Sequence, residues 1–375
     1  MKRLVLAALL AVPGLMAWAL SLPKVGSIDY TEGSVSIDRN GTALSAPDLG
    51  DPIVSGDLIK TQGDGTLVMA MDKNTGMDGK ITVQPNSALY INVDEVKGEP
   101  RTQIQILTGA IGAKASKIAG SPSVNVITSS AVMAVRGTEY QVIVSINADD
   151  EGPDSQQATL VTCTENQVSV DDGQGEVMVS AGKVLEKRPG ERLRFLPVAI
   201  SSVKDFGRQW LAAEIGAFRA DAPRALANYA KRYADLSAKF EAAYEPFQKS
   251  PTPRMWAQED RAGAAIDPLD PAELREKKEI AGYLFNIRKV LFVFERVYYR
   301  MDQISDLIAG TPDETREVRP GLTAGAFLQS VRADRDRIAG EVARFRYVEA
   351  LFAKHSPEGG AFSGMDDFFS SPSGF

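Results

Sequence analysis

From Val25 to Leu196, apolar and polar residues alternate in short runs, the period expected of strands that bury one face. Ser34–Ile37, Leu67–Met71, Lys80–Val83, Leu89–Val93, Gln103–Leu107, Val124–Ile127, Val142–Ile146, Ala158–Cys163, Gln167–Val170 and Glu176–Val179 are short and rich in β-formers. Turn formers separate them, among them Arg39-Asn40-Gly41, Gly63-Asp64-Gly65, Asp78-Gly79, Asp171-Asp172-Gly173 and Arg188-Pro189-Gly190. This spacing predicts an all-β domain over residues 20–199, built as a sandwich, a jelly roll or a barrel-like sheet rather than as an α/β fold.

Between about Pro197 and Ser202 the period changes to that of a helix. Leu226, Tyr229, Tyr233, Leu236, Phe240, Ala243 and Phe247 step by three and four, which lays one apolar stripe along a helix. Pro251, Pro253, Pro268 and Pro271 then predict a loop or linker near residues 250–271. The longest helix is expected from Ala272 to about Ala309. Its coiled-coil-like seam carries Ile280, Leu284, Ile287, Leu291, Phe294, Tyr298 and Met301, and the next helix carries Phe327, Val331, Ile338, Val342, Phe345 and Phe352. Joined by a loop from Pro312 to Gly321, the two read as an antiparallel hairpin, closed into a bundle by the helices upstream, for an α-helical domain over residues 200–355. The aromatic seams read as core, with self-association or docking of a partner helix as the alternative. Residues 356–375, with Phe362, Phe368, Phe369 and Phe375 among Gly, Ser, Pro and acidic residues, read as a disordered tail.

One run departs from the alternation. Ala131 to Val144 is nearly continuous in apolar and β-branched residues, yet Arg136, Gly137 and Glu139 interrupt it. A glycine inside a strand marks a bulge or a bend, so two strand segments are expected to meet at Gly137. A buried, unpaired arginine is costly, which predicts an internal Arg136–Glu139 pin across the kink. The alternative aims Arg136 at an external partner.

The string Val135-Arg136-Gly137-Thr138-Glu139-Tyr140-Gln141-Val142 resembles the signature of the FecR domain family, V-R-G-T-E-[FY]-x-V. The resemblance spans roughly Val25 to Phe195. It includes Ser55-Gly56-Asp57-Leu58-Ile59-Lys60-Thr61, Val83-Gln84-Pro85-Asn86-Ser87-Ala88-Leu89 and Leu107-Thr108-Gly109-Ala110-Ile111, in the family's order. Three positions depart from the pattern: Ser129 stands where Pro is usual, Lys60 replaces the customary residue before Thr61, and Asn166 stands where Gly is usual. Asparagine tolerates left-handed backbone, so the turn at Asn166 is expected to survive. The resemblance implies that Val135, Arg136, Gly137, Thr138, Glu139 and Tyr140 are structural or partner-binding. Founding members of the family relay the ligand state of an outer-membrane receptor to a cytoplasmic sigma factor.

Residues 1–19 read as a secretory signal: Lys2 and Arg3, an apolar stretch from Leu4 to Met16, then Ala17-Trp18-Ala19 as a cleavage site. An uncleaved anchor is the alternative. No later apolar run is long enough to span a bilayer, since the stretch from Leu284 to Tyr299 contains Arg288, Lys289, Glu295 and Arg296. A periplasmic or secreted location in a bacterial envelope is therefore expected, with no stable membrane span after cleavage. Only Met1, Lys2 and Arg3 precede the apolar stretch, which leaves no segment to grip a sigma factor and disfavours the anti-sigma role. The net charge of −7 falls on the β-region, with 15 basic against 23 acidic residues between 20 and 199, and 25 against 26 from 200 onward. That balance excludes nucleic acid and anionic lipid as partners. Cys163 is the single cysteine, so no intramolecular disulfide forms, and its strand context predicts a buried thiol.

Candidate chemistry is sparse. His355 is the only histidine, so neither a His-dependent triad nor a usual zinc cluster can be assembled. Ser201-Ser202-Val203-Lys204 matches Ser-x-x-Lys without the companion motifs of penicillin-binding enzymes. Asp72 to Gly79 has alternating oxygen donors but lacks the distal acid of a calcium loop, and reads as a hairpin turn. No catalytic residue, metal or cofactor is implied. The sequence points to a non-enzymatic envelope binding or scaffolding protein whose partners are envelope proteins or a cell-wall polymer. The alternative is a periplasmic component of FecR-type signalling that acts through a separate membrane partner.

Overall fold

A computed structural model describes residues 23–39, 42–44, 46–96, 99–116, 123–135, 137–148, 156–263 and 270–354. The alternating segments form two sheets that share one strand. The first sheet runs, neighbour to neighbour, through Pro52–Val54, Lys24–Glu32, Thr66–Met71, Asp78–Val83, the C-terminal half of Glu99–Ser116, Glu139–Ala148, Gln157–Glu165, Lys183–Lys187 and Arg194–Leu196. The second runs through Thr42–Leu44, Val35–Arg39, Asp57–Thr61, Ala88–Val96, the N-terminal half of the same long strand, Ser123–Ile127, Val132–Val135, Gln167–Asp171 and Glu176–Ser180. Ser123–Ile127 runs parallel to the long strand, and the other pairings in both sheets are antiparallel. Neither sheet closes into a barrel. Inward-facing residues of both, Ile28, Met69, Ile81 and Val142 from one and Ile37, Ile59, Ile91 and Ile104 from the other, meet in one apolar core. The β-region is therefore a sandwich.

The long strand passes from one sheet to the other at Gly109, whose φ is +83°. A Cβ there would stand 2.5 Å from Ser87 Cα and 2.6 Å from Asn86 O, so only glycine fits. Around this crossing the Ala110 amide donates to Ser87 Oγ at 2.9 Å, the Ser87 amide donates to Thr61 Oγ1 at 3.0 Å, and Thr61 Oγ1 donates to Gln84 O at 2.6 Å.

Helices follow as α1 (Val203–Ala220), α2 (Ala222–Lys249), α3 (Thr252–Ala262), α4 (Pro271–Ile308), α5 (Ala324–Ala333) and α6 (Arg335–Lys354). The seam residues Ile280, Leu284, Ile287, Leu291 and Phe294 are buried in a core shared with Phe240, Phe247, Phe345 and Phe352. Two expectations need correction. The prolines near 250–271 do not make a continuous loop: Pro253 sits in the first turn of α3 and Pro271 begins α4, where a missing N–H costs nothing because the first amides of a helix lack intrahelical acceptors. Asp270 caps α4 by accepting the Ala272 amide at 2.9 Å. Residues 264–269, with Pro268, lie outside the described residues. The last helix is also two, separated at Asp334, and the connection before it holds a short hairpin of Glu317–Arg319 with Leu322–Thr323.

The helices dock on the sandwich. Helix α1 lies across the outer face of the first sheet, where Val203 and Trp210 bury Ala110, Ile143, Leu160 and Val184. Helix α4 is covered on a further side by the second sheet, where Tyr299 packs against Leu58, Ala88, Tyr90 and Leu107. Among the described residues, no helix is long and apolar enough to cross a membrane.

Candidate functional site on the outer face of the first sheet

The interrupted run is the crossover between the sheets. Val132–Val135 belongs to the second sheet and Glu139–Ala148 to the first, and the chain turns between them at Gly137 with φ +59°. Val135 and Tyr140 face the common core. Thr138 is buried: its Oγ1 donates to Glu165 O and lies 3.6 Å from Cys163 Sγ. Asn166 adopts left-handed backbone at φ +54°, and its Nδ2 donates to Gly137 O at 2.6 Å. The asparagine thus keeps the turn that glycine usually makes there and adds a tie to the kink. Cys163 is buried, and burial pushes its thiol up from the ordinary value. Val135, Thr138 and Tyr140 are thus buried at the crossover, and Gly137 makes its turn. Arg136 lies outside the described residues, so the pin expected between it and Glu139 has only one described end.

Glu139 turns the other way. Its carboxylate takes Lys204 at 3.1 Å and Lys114 at 3.2 Å. The bond from Lys204 holds the carboxyl below the usual carboxylate range, with Lys114 adding to it against partial burial. The same contact raises the Lys114 ammonium. Strand register explains the meeting of Lys114 and Glu139: Lys80, Lys114 and Glu139 are successive cross-strand partners on the outer face. One pleat along, Val68, Thr82, Gly112, Gln141 and Thr162 form a parallel row. The first turn of α1 brings Lys204 to the edge of these rows. Gly207 permits the approach, since a Cβ there would lie 2.6 Å from Ile143 Cδ1 and 3.0 Å from Gln141 Oε1.

Together these rows line a groove of about 510 Å³, within the size range of ligand-binding clefts. Thr162 lies in its floor, fully buried, and its Oγ1 has no hydrogen-bond partner. Such a group ordinarily finds one. The lining offers hydroxyls, amides, ammonium groups and one carboxylate, which is equipment for holding a polar ligand.

The remaining sequence candidates fall elsewhere. Among the described residues, no group of three or more His, Cys, Asp or Glu side chains could hold a metal ion. In the Asp72 to Gly79 turn, Asp72 pairs with Lys24 at 3.3 Å and Asn74 Nδ2 donates to Lys24 O at 3.3 Å. Lys204 of the Ser-x-x-Lys match is engaged by Glu139. The signal segment, His355 and the Phe-containing tail lie outside the described residues.

The family model for FecR protein matches residues 58–185. The chain carries a FecR domain. The match takes in the Gly109 crossing, the Gly137 crossover and most of the groove, and it ends before α1 contributes Lys204. Beside the start of the FecR match, Asp57 is fully buried and clasped by Arg39 through two bonds of 2.8 Å. Two crystal structures, each of a provisionally assigned anti-sigma factor from Parabacteroides distasonis, are similar. The one at 1.65 Å is 12% identical with a TM-score of 0.30, covering 40% of this chain and 63% of the other. The one at 2.50 Å is 14% identical with a TM-score of 0.24, covering 38% and 56%. This chain thus spans under two thirds of either relative. No curated protein sequence matches the chain.

Sequence reasoning singled out Glu139 but missed Lys114, Gly112, Thr162 and the role of Lys204, because only strand register and the packing of α1 bring them together. Lys60, a departure from the FecR pattern, pairs with Asp38 at 2.6 Å and stands 5.9 Å from the ring centre of Tyr299 on α4. It thus lies where the FecR domain meets the helices.

Proposed function

We propose that this protein is a non-enzymatic binding module of the bacterial cell envelope, exported by residues 1–19, whose FecR domain holds a protein partner on the outer face of the first sheet. The observation that carries the reading is Glu139. Its described neighbours in the signature, Val135, Gly137, Thr138 and Tyr140, are taken up by the crossover, whereas its carboxylate emerges at the rim of an open groove between Lys114 and Lys204. The FecR match supports a protein partner, and the helices, packed against both sheets, give the groove a rigid frame. A second reading, a periplasmic component of FecR-type signalling acting through a separate membrane protein, differs only in which partner is held.

The test is photocrosslinking in living cells with a photoreactive residue at Gln141 or Thr82, followed by mass spectrometry. Capture of one envelope protein from the groove supports binding, and capture of an outer-membrane receptor or an inner-membrane sigma regulator selects the signalling reading. Failure to capture any protein from either position counts against the proposal.

A further inference from the structure

We infer that two copies of this chain pair through the free edge of the second sheet, antiparallel about a two-fold axis at Met178. The contact is independent of the groove. The second sheet ends on Glu176–Ser180, a strand whose one ladder partner among the described residues is Gln167–Asp171. A strand left open on one side offers a row of backbone donors and acceptors that an extended chain can take up. The other three sheet edges are blunted. Pro52–Val54 begins with a residue that lacks an amide hydrogen, and Thr42–Leu44 and Arg194–Leu196 are three residues each, the latter followed by Pro197. Glu176–Ser180 has five residues with neither proline nor lysine, and Met178 at its centre is 44% exposed.

The ladder fixes which backbone groups are free. The Ala181 amide donates to Asn166 O at 2.8 Å, and these two residues continue the register that pairs Val179 with Val168 and Val177 with Val170. Bonded pairs recur at every second residue of an antiparallel ladder, so Val177 and Val179 bond inward. Glu176, Met178 and Ser180 therefore direct their N–H and C=O groups away from the sheet. When a second copy lies antiparallel with Met178 opposite Met178, bonding groups face bonding groups along the whole strand. The two Met178 residues exchange both bonds, and Glu176 of each copy meets Ser180 of the other.

The side chains suit the same operator. Val177-Met178-Val179 reads alike in both directions, as a two-fold contact between identical strands requires. On the core side Val177, which is only partly buried, meets the buried Val179 of the other copy. On the outer face Met178 meets its own counterpart. No charge faces its like, because Glu176 opposes Ser180 and its carboxylate already accepts Ser169 Oγ.

Sedimentation velocity of the purified full chain across the micromolar range tests this, the contact being one strand long and the dimer correspondingly weak. The average mass should rise toward that of two copies. Met178→Pro removes the central outward amide while sparing the bonds to Gln167–Asp171, and Met178→Lys sets two ammonium groups opposite each other. Each should weaken the dimer by about tenfold or more, with the melting temperature of the dilute protein kept. Met178→Leu should dimerise like the unmodified chain. A short thiol-specific crosslinker should join copies carrying Met178→Cys far faster than copies carrying Thr42→Cys at the opposite edge of the same sheet, with the buried Cys163 inert. The mass of one copy at every concentration, a dimer indifferent to both Met178→Pro and Met178→Lys, or equal crosslinking from Thr42→Cys overturns the inference.

Discussion

The hydroxyl of Tyr90, on the second sheet, donates to Oε1 of Glu295 on α4 at 2.7 Å. The other oxygen of that carboxylate holds Arg346 of α6 at 2.9 Å, and the guanidinium lies 4.5 Å from the centre of the Tyr90 ring. Burial raises the Glu295 carboxyl, while Arg346 and Tyr90 pull it back. Burial likewise opposes the Arg346 cation, and Glu295 more than offsets it, so the guanidinium keeps its charge. A second tie runs from Arg300 Nη2 to Ser145 O at 2.9 Å. The β-region and the helices are thereby bound through buried polar groups.

Arg346→Met should strand a buried carboxylate and cost about 3–5 kcal/mol, whereas Glu295→Leu combined with Arg346→Met should cost clearly less, because no unpaired charge remains. Denaturant unfolding of the two variants checks the order. In the unmodified chain, tryptophan fluorescence and far-ultraviolet dichroism should report one shared transition, since the sandwich and the helices lose this contact together.

Gly109→Ala should destabilise by roughly 3 kcal/mol, combining left-handed strain with overlap against the Ser87 backbone. Gly112→Ala, in the same strand with room for a methyl group, should shift stability by less than about 1 kcal/mol. Similar denaturation midpoints for the two would contradict the crossing as described.

Asn166→Ala should cost roughly 2–3 kcal/mol, losing both the bond to Gly137 O and the residue's tolerance of positive φ. Asn166→Gly should cost about 1 kcal/mol, because it loses only the bond. Thermal unfolding of both variants at one pH gives the comparison.

The Glu139 carboxyl should titrate below the ordinary carboxylate range, about 4.3 for a free glutamate. A depressed folded value means that the stabilisation is present above the unfolded value and lost as the pH falls through the folded one. Carbon-13 NMR of the side chain should show the midpoint rising in Lys204→Met, and rising less in Lys114→Met, because the Lys204 bond is the larger cause. An unmoved midpoint in Lys204→Met would contradict the contact between Lys204 and Glu139.

The sequence by itself determined the two-part architecture. Period-two alternation up to Leu196 and helical spacing beyond Ser202 each record which face of an element is buried, and that information is local. It also disclosed the kink at Gly137 and the surviving turn at Asn166, because both are backbone requirements readable from residue type. What only tertiary structure decided depends on which distant segments become neighbours. The shared strand bending at Gly109 makes a sandwich from runs that equally suit a barrel. Prolines that suggested a loop instead start helices. Glu295 and Arg300 look like solvated charges on a helical face, yet they are interior because α4 is covered by helices on one side and by the sandwich on another. The groove arises in the same way: Lys114, Glu139, Thr162 and Lys204 come from separate segments, and only strand register and the approach of α1 at Gly207 place them around one opening.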